Sequence, residues 1–359
     1  MLLWYRSHGN YTTTFSEIQF RSYQMADIRD VAKLAGVAPI TVSRCINNSG
    51  YCSQETRARV EAAIVELGFV PNRLASGLRS KRSNTLALVL TDITNPFFTT
   101  IARGVEDKAS EAGYTVIFCN TDESVSKEKM YLQLLLEKRV DGILLVPAQS
   151  GLDSIALIKK QEIPIVILDR QVSDRQTDVV RCDSEGGAYE LTRLLLSLGH
   201  RKIGIINGPS GVSTSDDRLN GYRKALAQAG IGINPMWEYS GEFNQASGFE
   251  MTHKIMAQSS KPTAIFATNN FITYGALRAL QKLELCVPED VAVVGFDDLP
   301  PTLVIFPFLT VAAQPAYEMG VRAIEILLNK LGGGASDQYQ EVVLPAEIVI
   351  RQSSGKARV

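Results

Sequence analysis

Residues 27–47 read DIRDVAKLAGVAPITVSRCIN. Ile28, Val31, Ala32 and Ala35 recur at helical spacing and give a first helix one apolar face. Gly36 stands where a helix ends in a left-handed turn. A second helix follows at once, with Pro39 tolerated in its first turn. Helix, tight glycine turn, helix is helix-turn-helix spacing. A plain helical hairpin with a solvated polar face shares it, and on spacing alone the two readings stand about level. The second helix carries Thr41, Ser43, Arg44 and Asn47, short donors and a guanidinium that reach phosphates and base edges. A third helix, SQETRARVEAAIVELGF (53–69), opens with Ser53 as N-cap, has Thr56 rather than Glu at the capping-box position and closes at Gly68.

Residues 71–83 (PNRLASGLRSKRS) are polar and basic and read as a linker, helical only part of the time. From Thr85 the pattern changes. The runs LALVL, YTVIFCN, GILLVP, IPIVILD, KIGIING, AIFATN and VAVVGFDD alternate with helical stretches near 98–112, 127–138, 153–160, 185–198, 217–229 and 273–282. Continuous apolar strands separated by helices mean parallel sheets covered on both faces. About 270 residues of this exceed what one such sheet needs. The expected fold class is therefore a small all-α helix-turn-helix head plus α/β, in two doubly wound parallel-sheet lobes with a cleft between them. A single large α/β enzyme domain is the competing reading.

The chain has 359 residues and a net charge of −1. The charge is unevenly spread: residues 25–83 hold nine Lys/Arg against five Asp/Glu (net +4), and residues 84–359 hold 26 against 32 (net −6). A basic head on an acidic body is compatible with phosphate binding by the head alone. No apolar run reaches the roughly 18 residues of a membrane span, and residues 1–24 lack the apolar core and cleavage site of a signal peptide. A cytoplasmic protein without a membrane partner is expected, with a disordered extension over 1–24 and Met25 the more natural start. Cys45, Cys52, Cys119, Cys182 and Cys286 are odd in number, scattered and without metal-ligand spacing, so reduced thiols and no metal are expected.

The motif DVAKLAGV (30–37), TVSR (41–44) and Asn47, followed by Thr56-Arg57, Val60, Ala63, ELGF (66–69) and Pro71-Asn72, resembles the lactose-repressor/galactose-repressor family. The resemblance runs from about Met25 to Ser354. It implies a head over 25–70, a hinge helix over 71–83, a two-lobed effector-binding and dimerisation body over 84–354 and a tail over 355–359. In that family the recognition helix lies in the major groove, and its first turn, here Pro39 and Ile40, chooses the operator. Ala38 stands where a Ser is usual. Ile40 is able to meet a thymine methyl but not to hydrogen-bond a base. The resemblance also implies a hinge helix in the minor groove, with Asn72, Ala75 and Leu78 on DNA and Leu78 as the wedge. Gly77 weakens that helix by roughly 0.5–1 kcal/mol relative to Ala.

Polar groups sit at the strand ends, where open α/β sheets bind ligands. Asn95, Phe97 and Phe98 follow LALVLTDIT, Asp169 and Arg170 follow IPIVIL, and Arg218 opens RLNGYRKAL. Phe243 follows a strand in SGEF, while Asn269, Asp297 and Gln314 end IFATN, VAVVGFD and LTVAAQ. Any one of these is more often a cap, a turn or packing than a ligand contact. Together they resemble the site of periplasmic ribose-binding proteins, in which aromatics cover the sugar ring while carboxylates, amides and Arg bond its hydroxyls. Neighbours depart from the pattern: Asn270 replaces a usual Asp, Asp216-Asp217 a usual Arg-Glu and Asp183 a usual Asn.

The resemblance implies a regulator, most simply a repressor, of a double-stranded DNA operator, controlled by a pentose such as ribose. The alternatives are a sugar receptor module without DNA function and a purine-type effector. Two Arg facing two Asp favour a neutral sugar over a phosphorylated one, with Lys127 and Lys129 nearby. No nucleophile elbow, Gly-rich phosphate loop or metal cluster points to an enzyme, no cofactor is implied, and His200 and His253 read as structural. After EVVLPAEIVIRQSS, read as the last strand, no heptad run follows, so a homodimer is expected rather than a four-chain bundle.

Overall fold

The computed structural model describes residues 26–70, 82–149, 153–173, 176–299, 307–334 and 338–355. The expectations for residues 1–24, for the linker residues Asn72, Ala75, Gly77 and Leu78, and for the tail beyond 355 lie outside the described residues. The chain divides near residue 80 into two compact units.

The first unit consists of α1 (Ile28–Ala35), α2 (Pro39–Asn47) and α3 (Gln54–Leu67). Asp27 and Asp30 form a reciprocal capping box at the start of α1, and Gly36 closes it in the left-handed conformation (φ 63°). Ser53 Oγ accepts from Thr56 N–H (3.2 Å). Val31, Ala32, Ala35, Val42, Cys45, Val60 and Ala63 make the core, with Ile28 packed at its margin. Two arginines of α3 hold the other helices by their carbonyl ends, where a cation is favoured. Arg59 donates to Ala35 O and Gly36 O, and Arg57 donates to Cys45 O (2.9 Å) and to Asn48 Oδ1 (2.8 Å).

The expectation of reduced thiols fails at one pair. Cys45 and Cys52 are joined by a disulfide, because α2 and the loop before α3 bring their Cα atoms to 5.5 Å. Cys119, Cys182 and Cys286 are free.

The second unit begins with β1 (Thr85–Leu90), α4 (Pro96–Glu111), β2 (Thr115–Asn120), α5 (Val125–Glu137), β3 (Gly142–Leu145), α6 (Asp153–Lys159), β4 (Ile165–Leu168) and β5 (Asp178–Cys182). It continues with α7 (Ser184–Ser197), β6 (Ile203–Asn207), α8 (Ser213–Gln228), β7 (Glu238–Ser240), α9 (Gln245–Met256), β8 (Ala264–Ala267), α10 (Asn270–Lys282), β9 (Ala292–Phe296), β10 (Thr310–Ala313), α11 (Ala316–Leu331), β11 (Glu341–Leu344) and β12 (Glu347–Val349). These form two sheets of like order, β11-β5-β4-β3-β1-β2 and β12-β10-β9-β8-β6-β7. All pairings are parallel except β10–β12. Strands β3, β4, β6, β8 and β9 are buried throughout, as two covered faces require.

The chain passes between the sheets three times. Strand β5 leads to α7, which packs in the second core, and β10 leads to α11, which packs in the first. The third crossing corrects the reading of EVVLPAEIVI as one strand: Pro345 cannot donate to a ladder, and the run splits into β11 on the first sheet and β12 on the second. Helices α9 and α11 add to those read from the sequence. Helix α11 crosses α4 at Gly104 and Gly320, where a Cβ would meet Tyr317 O or Ile101 O at 2.3 Å. That close crossing seats α4, whose first turn enters the site.

Replacing Arg57 with Ala removes two hydrogen bonds from the end of α2 at a cost of about 1–2 kcal/mol. The α2 amides are then expected to exchange on the order of tenfold faster, with the lobes unchanged. Unaltered α2 exchange contradicts the clamp.

Candidate functional site: a DNA-reading helix and an inter-lobe crevice

On α2, Pro39, Ile40, Arg44 and Asn47 are exposed, and Thr41 and Ser43 are half-buried. Ile40 leaves 51% of its surface in solvent. Asn47 Nδ2 donates to Ser43 Oγ (3.3 Å). Ala38, in place of the usual Ser, makes no side-chain cap, and Thr41 N–H donates to the Ala38 carbonyl instead (2.8 Å).

In the second unit one crevice between the lobes is lined by Asn95, Phe97, Phe98, Asp169, Arg170, Arg218, Phe243, Asn269, Asp297 and Gln314, every position the sequence singled out. Asp92, Glu123 and Thr214 also line it and were missed. Asp92 and Glu123 follow β1 and β2, and Thr214 lies in the first turn of α8, so the strand-end rule reaches them too. Arg218 does not open its helix as expected: α8 starts five residues earlier at Ser213, uncapped by any side chain.

The lobes offer matching groups. Asp169 ends β4 at φ 65° and Asp297 ends β9 at φ 71°, both left-handed, a costly backbone for a non-glycine residue. Asn95 caps α4 by accepting from Phe97 N–H (3.0 Å), and Asn269 caps α10 by accepting from Ile272 N–H (2.7 Å). Both caps use the amide oxygen and not the nitrogen. Asn270 explains its own departure from Asp. Its Nδ2 donates to Asn95 Oδ1 across the lobes (2.7 Å), a bond a carboxylate is unable to make. Gln171 N–H to Ser213 Oγ (2.8 Å) is a second bridge.

The two guanidiniums differ in use. Arg170 is gripped by Glu123 through two bonds of 2.6 Å and donates to Pro147 O and Ala148 O. Asp122 (φ 50°) and Glu123 (φ 57°) are consecutive left-handed residues that bring this carboxylate over the crevice. Arg218 donates to Thr268 O (2.7 Å) and lies over the Phe296 ring at 3.9 Å. Its neighbour Asp216 turns to Gly211 N–H (3.5 Å). Arg218 Nε, Asp169 Oδ1 and Gln314 Oε1 are buried without a hydrogen-bond partner. Gln314 Nε2 donates to Asp297 Oδ1 (2.6 Å). Phe97 and Phe98 pack edge to face with centroids 5.0 Å apart. The Phe243 ring lies on Gly208, where any Cβ would sit 2.2 Å from it. Lys127 does not line the crevice and pairs with Asp122.

Burial pushes the Asp169 carboxyl up to about 6, with Arg170 and Arg218 pulling it back. Burial also raises Asp297, offset by Arg218 and by the Gln314 bond. His200 lies outside the crevice, with Nδ1 at 3.0 Å from Thr263 Oγ1. Among the described residues no cluster fit to hold a metal ion is found, and no helix is long and apolar enough to cross a membrane.

A three-helix DNA-reading unit and a two-lobed body with a polar crevice define a ligand-binding, DNA-binding regulator rather than an enzyme. Residues 27–72 match the profile of bacterial regulatory proteins of the lacI family, and residues 83–351 match that of periplasmic binding proteins and the sugar-binding domain of the LacI family. The chain belongs to the lacI family of bacterial regulatory proteins. It is similar to the HTH-type transcriptional repressor PurR of Photobacterium profundum, 36% identical over 92% of this chain and 98% of the relative. A lac repressor dimer bound to operator and the anti-inducer ONPF superposes with TM-score 0.79 at 29% identity, covering 92% of this chain and 99% of that one. A LacI family regulator from Enterococcus faecium with bound ribose superposes with TM-score 0.69 at 30% identity, covering 76% of this chain and 100% of that one.

The Asp169 shift has a stability consequence. In the folded state the carboxyl keeps its proton up to about pH 6; unfolded, it releases it near 3.8. Its contribution is therefore complete below about pH 4 and is lost as pH rises through 6, a loss of about 3 kcal/mol. Asp169→Asn does not ionise. Urea denaturation at each pH should show the variant gaining about 3 kcal/mol on the wild type between pH 4 and 7.5. A constant difference contradicts the assignment.

Proposed function

We propose that this chain is a homodimeric repressor that binds a double-stranded operator and takes a neutral pentose such as ribose as its effector. The observation that carries the effector reading is the balance of charge and unmet hydrogen bonds in the crevice. Glu123 already occupies Arg170, which also lies 3.9 Å from Asp169 Oδ2, and Arg218 acts on both Asp169 and Asp297, so no surplus cation awaits a phosphate. The unpartnered Arg218 Nε, Asp169 Oδ1 and Gln314 Oε1 are donor and acceptors at once, as a ring of hydroxyls needs. Phe97, Phe98 and Phe243 cover its apolar faces. The ribose-bound relative supports the same class of ligand. Similarity to PurR repressors keeps a purine as the second reading.

On DNA, Pro39, Ile40, Thr41, Ser43, Arg44 and Asn47 take the major groove, and Asn72, Ala75 and Leu78 take the minor groove, Leu78 as a wedge between base steps. Two half-sites need two heads, and the operator-bound lac repressor dimer supports that assembly. Closure of the lobes on the sugar changes the spacing of the dimer's two linkers and so alters the grip.

Calorimetry with ribose, ribose 5-phosphate and a free purine base tests the effector. Ribose is expected to bind, with affinity lost on the order of a hundredfold or more in Arg218→Ala, which removes charge-assisted bonds from a buried site. Binding of the purine or the phosphate alone contradicts the pentose, and ribose binding unchanged in Arg218→Ala contradicts the site.

A further inference from the structure

Cys45 and Cys52 have no part in either function described so far. Cys45 follows Arg44 on α2 and is buried (3% exposed), whereas Cys52 lies in the loop before α3 and is partly exposed. Their Cα atoms are 5.5 Å apart and the two are bonded. The short loop between them wraps the end of the recognition helix. Asn48 turns left-handed at φ 48°, and Ser49 N–H donates to Arg44 O (3.3 Å). A Cβ placed on Gly50 would lie 3.6 Å from Arg44 Cδ, so the loop backbone is the bed for the stem of Arg44.

We propose that Cys45 and Cys52 form a reversible thiol–disulfide site that sets how firmly the DNA-reading Arg44 is held, with a small disulfide such as oxidised glutathione as its oxidant. A protein that works on chromosomal DNA meets a reducing thiol pool, where disulfides are transient and sensing rather than structural. The partial exposure of Cys52 makes it the entry point. Its thiolate attacks one sulfur of the small disulfide and expels one thiolate, leaving a mixed disulfide. The Cys45 thiolate then attacks Cys52 Sγ and expels the second. The pair gives up two electrons and two protons, and the small disulfide becomes two thiols. A reducing dithiol reverses the exchange.

The consequence for DNA follows from the size of the head. Among the described residues of the head seven apolar side chains are buried, so one cross-link weighs heavily. The bonds from Arg57 to Cys45 O and Asn48 Oδ1 do not depend on the disulfide, so reduction loosens this corner without unfolding it. The oxidised head presents Arg44 already ordered, and the reduced head must order its loop on binding.

The test uses the full chain carrying Cys286→Ser, which removes the exposed thiol outside the head. The DNA is a duplex that the protein selects from a random-sequence pool. After oxidised glutathione, thiol titration in denaturant should find two thiols, those of Cys119 and Cys182; after dithiothreitol it should find four. The oxidised form should bind the duplex about three- to tenfold more tightly, the gain from one preordered side chain and loop. Adding Cys52→Val, or Cys52→Ser in a second variant, should fix affinity at the reduced value under both treatments. Four thiols after glutathione, equal or weaker binding by the oxidised form, or a redox response surviving in both variants overturns the proposal.

Discussion

The body of this protein is organised around charge that its own residues leave incompletely satisfied. Asp169 and Asp297 stand at matching strand ends in left-handed backbone, each about 5% exposed, opposite a guanidinium packed on an aromatic ring. A buried ionisable or polar group without a partner costs free energy. Here Asp169 Oδ1, Arg218 Nε and Gln314 Oε1 are such atoms, each on a residue that lines the crevice. The fold tolerates this because the rest of the shell is over-determined. Two asparagine caps, the Glu123–Arg170 fork and the Asn95–Asn270 bridge hold the groups in place before any ligand arrives. A polar ligand that meets the open positions in both lobes favours the conformation that brings them together.

The chain's path gives that preference a mechanical outlet. Three crossings join the lobes, after β5, after β10 and at Pro345–Ala346, and each is only a few residues long. Each lobe has its own cores, built on opposite faces of its sheet, so the lobes are able to move as bodies while the crossings bend. Asn95 links the two lobes directly, since it caps α4 in one lobe and accepts from Asn270 of the other.

Much of this was legible in the sequence, for identifiable reasons. Fully buried parallel strands write unbroken apolar runs such as GILL (142–145) and AVVGF (292–296), and groups following those runs necessarily meet at the crevice. Hence most of the ten crevice-lining residues could be picked out near strand ends, although drawing them together as one set took the resemblance. What escaped depends on tertiary context. Helix α9 carries Gly248, which depresses helix propensity yet is required where Ile272 O would lie 2.3 Å from a Cβ. Glu123 went unnamed, because its left-handed backbone, and not its neighbours in sequence, turns it onto Arg170. The Cys45–Cys52 pairing was missed, since nothing in the spacing says that the loop seven residues on folds back against the end of α2. The split of 341–349 between two sheets was signalled by Pro345 and read past.

The central claim is that the crevice and the DNA-reading head are two ends of one equilibrium. Linkage makes that claim quantitative, because an effector that changes operator affinity by some factor must have its own affinity changed by the operator by the same factor. The decisive measurement is the ribose dissociation constant of the full chain, alone and saturated with a selected operator duplex, beside the operator constant with and without saturating ribose. The account predicts two equal factors, on the order of five- to 150-fold. Ribose binding that is indifferent to the operator, with operator binding indifferent to ribose, would contradict it.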